Sequence, residues 1–247
     1  MGYRLHFADS TSADYDLLVG ADGAHSRMRS LVIDAQPVYT GISTVELGSM
    51  PDIDHTHPEL AAMVGRGTFW VIGENQSLSA QRNANGSVRV YLSLRTPENW
   101  ITTCGIPFDA PARARTALVD LLTGWAPRVT RLIEACDGTI VPRAVTALPI
   151  GLTWPATPGI TLLGDAAHLM PPVGEGANMA MLDGAELALA GSSEDMGTAI
   201  RDFEKAMFER NAAAAQDSAD TVELFMSPTG ARDMAKFFGG HNVTSEQ

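Results

Sequence analysis

Two acidic residues stand where chemistry could use them. Asp16 to Gly20 reads DLLVG, an apolar run that ends at Ala21-Asp22-Gly23, and Ile160 to Leu163 runs straight into Gly164-Asp165. In open α/β sheets, ligands bind beyond the carboxyl ends of the strands, so both carboxylates are candidates to project into such a crevice. A carboxylate fixed there offers acceptors to the hydroxyls of a sugar or sugar alcohol. The plainer reading is that each Asp caps a turn or helix. After the second acid, Pro171-Pro172-Val173-Gly174-Glu175-Gly176 leads into a long apolar pattern. Glycine lets backbone approach a flat ligand closely, and the amides at a helix start favour negative charge. An ordinary proline-rich loop before a helix reads the same way.

Other candidates carry less. His55 and His57 flank Thr56 beside Asp54, but no further ligand follows at zinc-site spacing, so a solvated loop is the simpler reading and no metal is expected. His168 lies in the run GDAAH with no nucleophile at sequence spacing. No GxSxG, P-loop, HExxH or GxGxxG occurs.

The elements that must position these residues are legible in outline. Tyr3 to Phe7 alternates and precedes a turn-rich stretch, giving a hairpin that feeds a buried strand; a short helix is expected from Ser26, as N-cap, to Leu31. Residues 37–100 have the period-2 character of an antiparallel sheet. In the segment 77–94, Asn85-Gly86 predicts a hairpin with a tight primed turn. Val88, Val90, Leu92 and Leu94 share one face of the return strand and predict core; Arg89, Tyr91 and Ser93 share the other, which reads as a solvent face or a half-polar ligand wall. Residues 111–136 read as helix, broken at Ala126-Pro127, and a loop carrying four prolines leads to the strand at Ile160. From Gly176 to about Ala190, apolar residues recur nearly all round, predicting a helix buried on most sides. A second long helix spans 195–226, with Ile200, Phe203, Met207 and Phe208 on one side, and the last ten residues read as a frayed tail.

Composition narrows the function classes. The 247 residues, 45% hydrophobic and 19% charged, suit a globular protein with a sizeable core. A net charge of −12 argues against nucleic acid or an anionic membrane as partner. No apolar run is long enough to span a bilayer, and the N-terminus lacks the regions of a signal peptide. Two cysteines, Cys104 and Cys136, without CxxC spacing, fit free thiols in a reducing cytoplasm.

Taken together, DLLVGADGAHSRMR (16–29) resembles the D-G-x-x-S-x-x-R motif of the class A flavoprotein monooxygenases, with Asp22, Gly23, Ser26 and Arg29 at matching positions. GDAAHLMPPVGEGAN (164–178) resembles their GD motif, and the nearest likeness is to the tetracycline-inactivating members, which share the GDAAHLMPP string, an RTPENW-like close to the central sheet and a similar tail helix. The resemblance implies an α/β fold of mixed α+β character: a partial, Rossmann-like FAD-binding domain, an antiparallel-sheet substrate domain and a long C-terminal helix. The corresponding segments are 1–36 and 151–192 for the FAD-binding parts, 37–150 for the substrate domain and 193–247 for the helix and tail.

The resemblance further implies that Asp165 binds the FAD ribityl chain and that Pro171, Gly174, Gly176, Ala177 and Asn178 lie along the isoalloxazine edge. Asp22, Gly23 and Arg29 belong to a motif associated with FAD and NAD(P)H. Trp70, Arg89 and Tyr91 become the substrate wall. No catalytic side chain is implied, because the flavin, reduced by NADPH or NADH, carries the oxygen-transfer chemistry to an aromatic or polyketide-like small molecule such as a tetracycline. Glu175 stands where many relatives carry Gln. Members of the family begin with a strand, a GxGxxG turn and a helix that hold the FAD pyrophosphate, so this chain resembles the C-terminal two-thirds of such an enzyme. A separate N-terminal FAD-binding part is the partner that follows, with exposed sheet edges at Leu17–Val19 and Ile160–Leu163 and otherwise a monomer expected. Two other readings compete: a remnant or ligand-binding domain without flavin, and a metal-dependent hydrolase built on Asp22 and Asp165, for which a third ligand is missing.

Overall fold

A computed structural model describes residues 2–239. The first half of the chain runs through β1 (Tyr3–His6), β2 (Ser12–Tyr15), β3 (Leu18–Gly20), β4 (Val38–Met50), α1 (Ile53–Thr56), α2 (Pro58–Val64), β5 (Thr68–Ile72), β6 (Gln76–Arg82) and β7 (Val88–Arg95). The second half adds α3 (Trp100–Thr103), α4 (Pro111–Asp120), α5 (Pro127–Glu134), β8 (Val141–Ala147), β9 (Ile160–Leu162), α6 (Asp165–His168), α7 (Gly176–Gly191), α8 (Met196–Phe225) and α9 (Gly230–Gly239). The end of the tail, residues 240–247, lies outside the described residues. The chain divides into two compact units: residues 1–40 with 146–222, and residues 41–145 with 223–247.

The second unit is built on a five-stranded sheet in the order β5-β6-β7-β4-β8. The alternation in β7 does what its pattern predicts. Val88, Val90, Leu92 and Leu94 are buried and join Leu78 and Ala80 of β6 and Val45 and Leu47 of β4 in one cluster. Ile53 of α1, Leu60 of α2, Ala114 and Leu118 of α4, and Val129, Leu132 and Ile133 of α5 join that cluster. Pro111 and Pro127 each open their helix at the first turn, where a missing N–H leaves no gap in the ladder.

Two local expectations change. The turn after β6 is longer than a two-residue primed turn: the Gly86 amide donates to Asn83 O (2.9 Å), the Asn83 amide donates to Ser87 O (2.8 Å), and only Gly86 has positive φ (83°). The reason is local. Asn85 Oδ1 accepts from the Ser87 amide (3.1 Å) and hydroxyl (2.8 Å), which holds Asn85 in ordinary backbone geometry. Residues 141–147, expected as proline-rich loop, form β8, an edge strand where Pro142 can sit because one side of the strand needs no donor. In β4 the register shifts between Glu46 and Ser49. A Cβ at Gly48 (φ 92°) would stand 2.0 Å from Asp137 O, so only glycine fits that bulge.

The first unit has far less sheet. β1 and β2 form the expected hairpin, and β3 pairs with β9 in parallel, Leu18 opposite Ile160 and Gly20 opposite Leu162. Trp154, Leu162, Ala167, Leu187, Ile200, Phe203 and Met207 form its apolar cluster, with Trp154 edge-on to Phe208 at 4.6 Å. Glu204 is buried there and accepts from Trp154 Nε1 (3.0 Å) and Thr161 Oγ1 (2.8 Å). The expected helix from Ser26 is reduced to a single 3-10 turn, Arg29–Leu31, although Ser26 Oγ accepts the Arg29 amide at 3.0 Å as an N-cap does. A larger correction concerns α7. Only Asp183 and Leu187 of that helix are buried, while Met181 and Leu189 are 68% and 73% exposed. An apolar pattern marks surface that needs covering; it does not say that this segment supplies the cover.

Candidate functional site

The parallel pairing of β3 with β9 aligns the ends of the two strands, and the acidic residues follow those ends. Leu163 donates its amide to Gly20 O at 3.0 Å, which extends the pair to the start of both motifs. A Cβ at Gly20 would meet Leu162 at 2.4 Å and Met28 at 2.7 Å, so the close packing of strand on turn requires glycine.

The two acids then part ways. Asp22 Oδ2 accepts from the amides of Arg27 (2.8 Å) and Met28 (3.4 Å). Burial pulls its pKa upward, but these bonds and one from Ser26 outweigh it and leave the carboxyl below its ordinary value. Asp22 is therefore engaged in capping its own turn. Asp165 opens α6 with its carboxylate exposed between a buried Gly164 and a buried Ala166, and no hydrogen bond from the described residues engages that side chain.

Arg29 joins the two motifs. It is 2% exposed, and its guanidinium donates Nε to Ala166 O (2.8 Å) and Nη2 to Asp165 O (3.1 Å) and Ala24 O (2.9 Å). Burial lowers its pKa, opposed by the charge of Asp22. The side chain that sequence placed in a cofactor motif acts here as a strut that fixes the backbone of Asp165.

A second buried centre stands on the other side of the same turn. Asp183, fully buried, accepts from the Gly164 amide (3.1 Å), His168 Nε2 (2.5 Å) and Arg210 Nη2 (2.9 Å). Burial raises its pKa, yet the bonds from His168, Gly164 and Arg210 together hold the carboxyl below its ordinary value. Neither Asp183 nor Arg210 was a sequence candidate; the only signal was one acid inside the otherwise apolar stretch NMAMLDGAELALA.

Pro171 is buried, and the loop beyond it exposes Gly174, Ala177 and Asn178. Gly174 takes φ 109°, and a Cβ built there or at Gly176 would meet nothing within 4 Å. α7 starts at Gly176 with no side-chain cap and no acid in its first turn, leaving its first amides available. Bare backbone, free amides and an exposed carboxylate at a fixed strand end fit a flat, hydroxyl-bearing ligand with an anionic edge, which is the chemistry of a flavin.

In the second unit, Trp70, Ser79, Tyr91 and Glu46 stand opposite one another across β5, β6, β7 and β4, so they share one row and one face. Arg89, two residues before Tyr91, shares that face and pairs with Glu46 at 3.2 Å. Tyr91 and then Glu46 raise its pKa. Trp70 is 40% exposed and packs edge-on against Phe225 at 4.7 Å. Arg95 lies further along the same face, bonded to Glu223 (2.8 Å) and Met226 O (3.0 Å). His55 bonds Asp52 at 2.7 Å, and the described residues contain no cluster able to hold a metal ion.

Among solved structures, this fold is shared with FAD-containing monooxygenases and hydroxylases. No protein-family model matches the chain. It is 33% identical to the monooxygenase penA of Penicillium thymicola over 72% of this chain and 49% of that protein. It is 32% identical to a 3-amino-4-hydroxybenzoate 2-monooxygenase of Streptomyces platensis over 94% of this chain and 56% of that protein. Among solved structures, Klebsiella pneumoniae HpxO complexed with FAD and uric acid superposes with TM-score 0.79 at 24% identity, covering 97% of this chain and 59% of that one. Tetracycline destructase Tet(51) gives TM-score 0.62 at 15% identity, covering 100% and 66%. The chain belongs to the FAD-dependent flavoprotein monooxygenases. It spans about half the length of the curated relatives it matches.

Proposed function

We propose that this chain supplies the GD-turn and substrate-sheet portion of an FAD-dependent, NAD(P)H-consuming monooxygenase acting on an aromatic or polyketide-like small molecule. The observation that carries the reading is the exposed Asp165 carboxylate, held at the end of β9 by the Arg29 strut beside the bare backbone of 171–178. When bound, the flavin supplies the oxygen-transfer chemistry. The chain's own residues hold and orient. Asp165 accepts from ribityl hydroxyls, while the amides at the start of α7 and the backbone of Gly174 and Gly176 meet the anionic edge of the ring. Trp70 and Tyr91 offer apolar faces to a planar substrate, with Arg89 beside them.

The tetracycline class is the narrower version of this substrate reading and stands on the sequence likeness alone. The 3-amino-4-hydroxybenzoate 2-monooxygenase relative supports a simple aromatic ring at least as well. The pyrophosphate cradle belongs to a further part of the enzyme, in the same polypeptide or a separate one. Exposed Val19 on β3 and Met181 and Leu189 on α7 support a partner surface for it in the first unit.

The test is a titration of the purified chain with FAD, read by flavin fluorescence and the visible spectrum. Saturable binding with a shifted, resolved flavin band is expected. No binding at hundreds of micromolar FAD would mean that this portion holds no flavin by itself, and the titration would then be repeated with a GxGxxG-bearing fragment of a relative added. Failure there too would sink the reading.

A further inference from the structure

Beside His168, the first unit contains a cavity of about 20 Å³, lined by apolar residues of the 148–152 segment and of α8. Among the described residues, its only polar side chains are His168 and Asn211. Both are buried: the His168 side chain is 9% exposed and Asn211 is 3% exposed. His168 Nδ1 and both polar atoms of the Asn211 carboxamide have no hydrogen-bond partner among the described residues. Three orphaned polar atoms at one small cavity are a costly arrangement unless something bridges them. A water needs roughly 10–15 Å³ and two or more polar partners; the cavity has that volume, and two of the residues lining it carry the orphaned atoms.

The chemistry of the neighbouring hub sets the direction of the bonds. Asp183, as a carboxylate, can only accept, so the His168 nitrogen facing it, Nε2, carries the proton. When the ring carries that proton alone, Nδ1 is an acceptor that requires a donor, and whatever bonds Nδ1 fixes the tautomer. We propose that the cavity is a binding site for one water molecule, which donates to His168 Nδ1 and bonds the Asn211 carboxamide. This water completes a chain from Asn211 through His168 and Asp183 to the Gly164 amide. Asn211, on α8, is thereby a positioning residue for the Gly164-Asp165 turn, which it does not itself touch.

A crystal structure of the whole chain, with long-range ¹H–¹⁵N NMR of its histidine rings, tests this. One solvent peak is expected at about 2.7–3.2 Å from both Nδ1 and the Asn211 amide, with the His168 proton on Nε2. Asn211→Leu, close in size but unable to bond, should remove the peak and move the Nδ1 resonance to that of an unbonded acceptor. Asn211→Ser should restore both. Should the leucine variant fail to fold, the wild-type peak and the serine variant decide. A dry cavity, an Asn211 amide bonded directly to Nδ1, or a proton on Nδ1 would overturn the proposal. Its link to cofactor rests on the flavin reading above: Asn211→Leu should weaken FAD binding about two- to tenfold, the loss of one net hydrogen bond. If FAD fails to bind even with the GxGxxG-bearing fragment added, the flavin reading fails alone, and the solvent peak still decides this one.

Discussion

The two units hold their functional residues in different ways. In the second, a five-stranded sheet and the helices α1, α2, α4 and α5 close a continuous apolar cluster, and the candidate substrate residues ride on its other face. In the first, a two-stranded parallel pair offers little ladder, and buried charged groups take over: Arg29 stitches turn to turn, Asp183 gathers three donors, and Glu204 ties Trp154 to Thr161. The contrast teaches that a site can be positioned by the width of a sheet or by the satisfaction of a few polar centres. The second method is far less tolerant of a single change.

Asp183→Ala is the sharpest way to break this contrast. It leaves buried His168 and the Gly164 amide without their acceptor and Arg210 with Glu186 alone, and a loss of about 3–5 kcal/mol is expected in urea unfolding. Leu92→Ala, in the core of the second unit, should cost about 2–5 kcal/mol through the cavity it leaves. Hydrogen exchange should separate the two, with protection lost around Gly164 in the first variant and along β6 and β7 in the second. A pH series gives a smaller effect with a defined sign. The Asp183 pKa is lower folded than its unfolded value of about 3.9, so its contribution is full above that value and lost as pH falls through the folded one. Asp183→Asn should flatten the acid limb of the unfolding midpoint. Burial pushes the Cys136 thiol up to about 12, and its Sγ–H donates to Leu132 O at 3.1 Å. At neutral pH an alkylating reagent should therefore leave Cys136 untouched until urea unfolds the chain, reaching half-buried Cys104 first. Arg89→Gln closes the series. Its pairing with Glu46 is exposed, and no measurable shift in the urea midpoint is expected.

What could be read from sequence follows the same division. Period-2 alternation identified the buried face of β7 because a wide antiparallel sheet makes each side chain choose a face. The strand ends were legible because each apolar run stops at Asp-Gly or Gly-Asp, but spacing did not separate Asp22, which caps its own turn, from Asp165, whose carboxylate is exposed. The Asn85-Gly86 turn was located but mistyped, since a side-chain bond to Ser87 decided its geometry. β8 was hidden by Pro142, whose tolerance depends on the strand lying at an edge. The Asp183 centre was beyond reach, because its side-chain partners lie 15 and 27 residues away and no spacing rule connects them. The exposed apolar face of α7 was misread for a related reason: a pattern demands a cover without naming it.

The triple duty of Asp183 also constrains how this sequence can change over generations. A neutral amide at that position could not accept as a carboxylate does from Arg210, His168 and Gly164 at once. Drift that replaces the acid alone strands three donors. Lineages that depart from it should therefore show positions 168, 183 and 210 altered as a set, and an ancestor carrying only one of those changes should be rare.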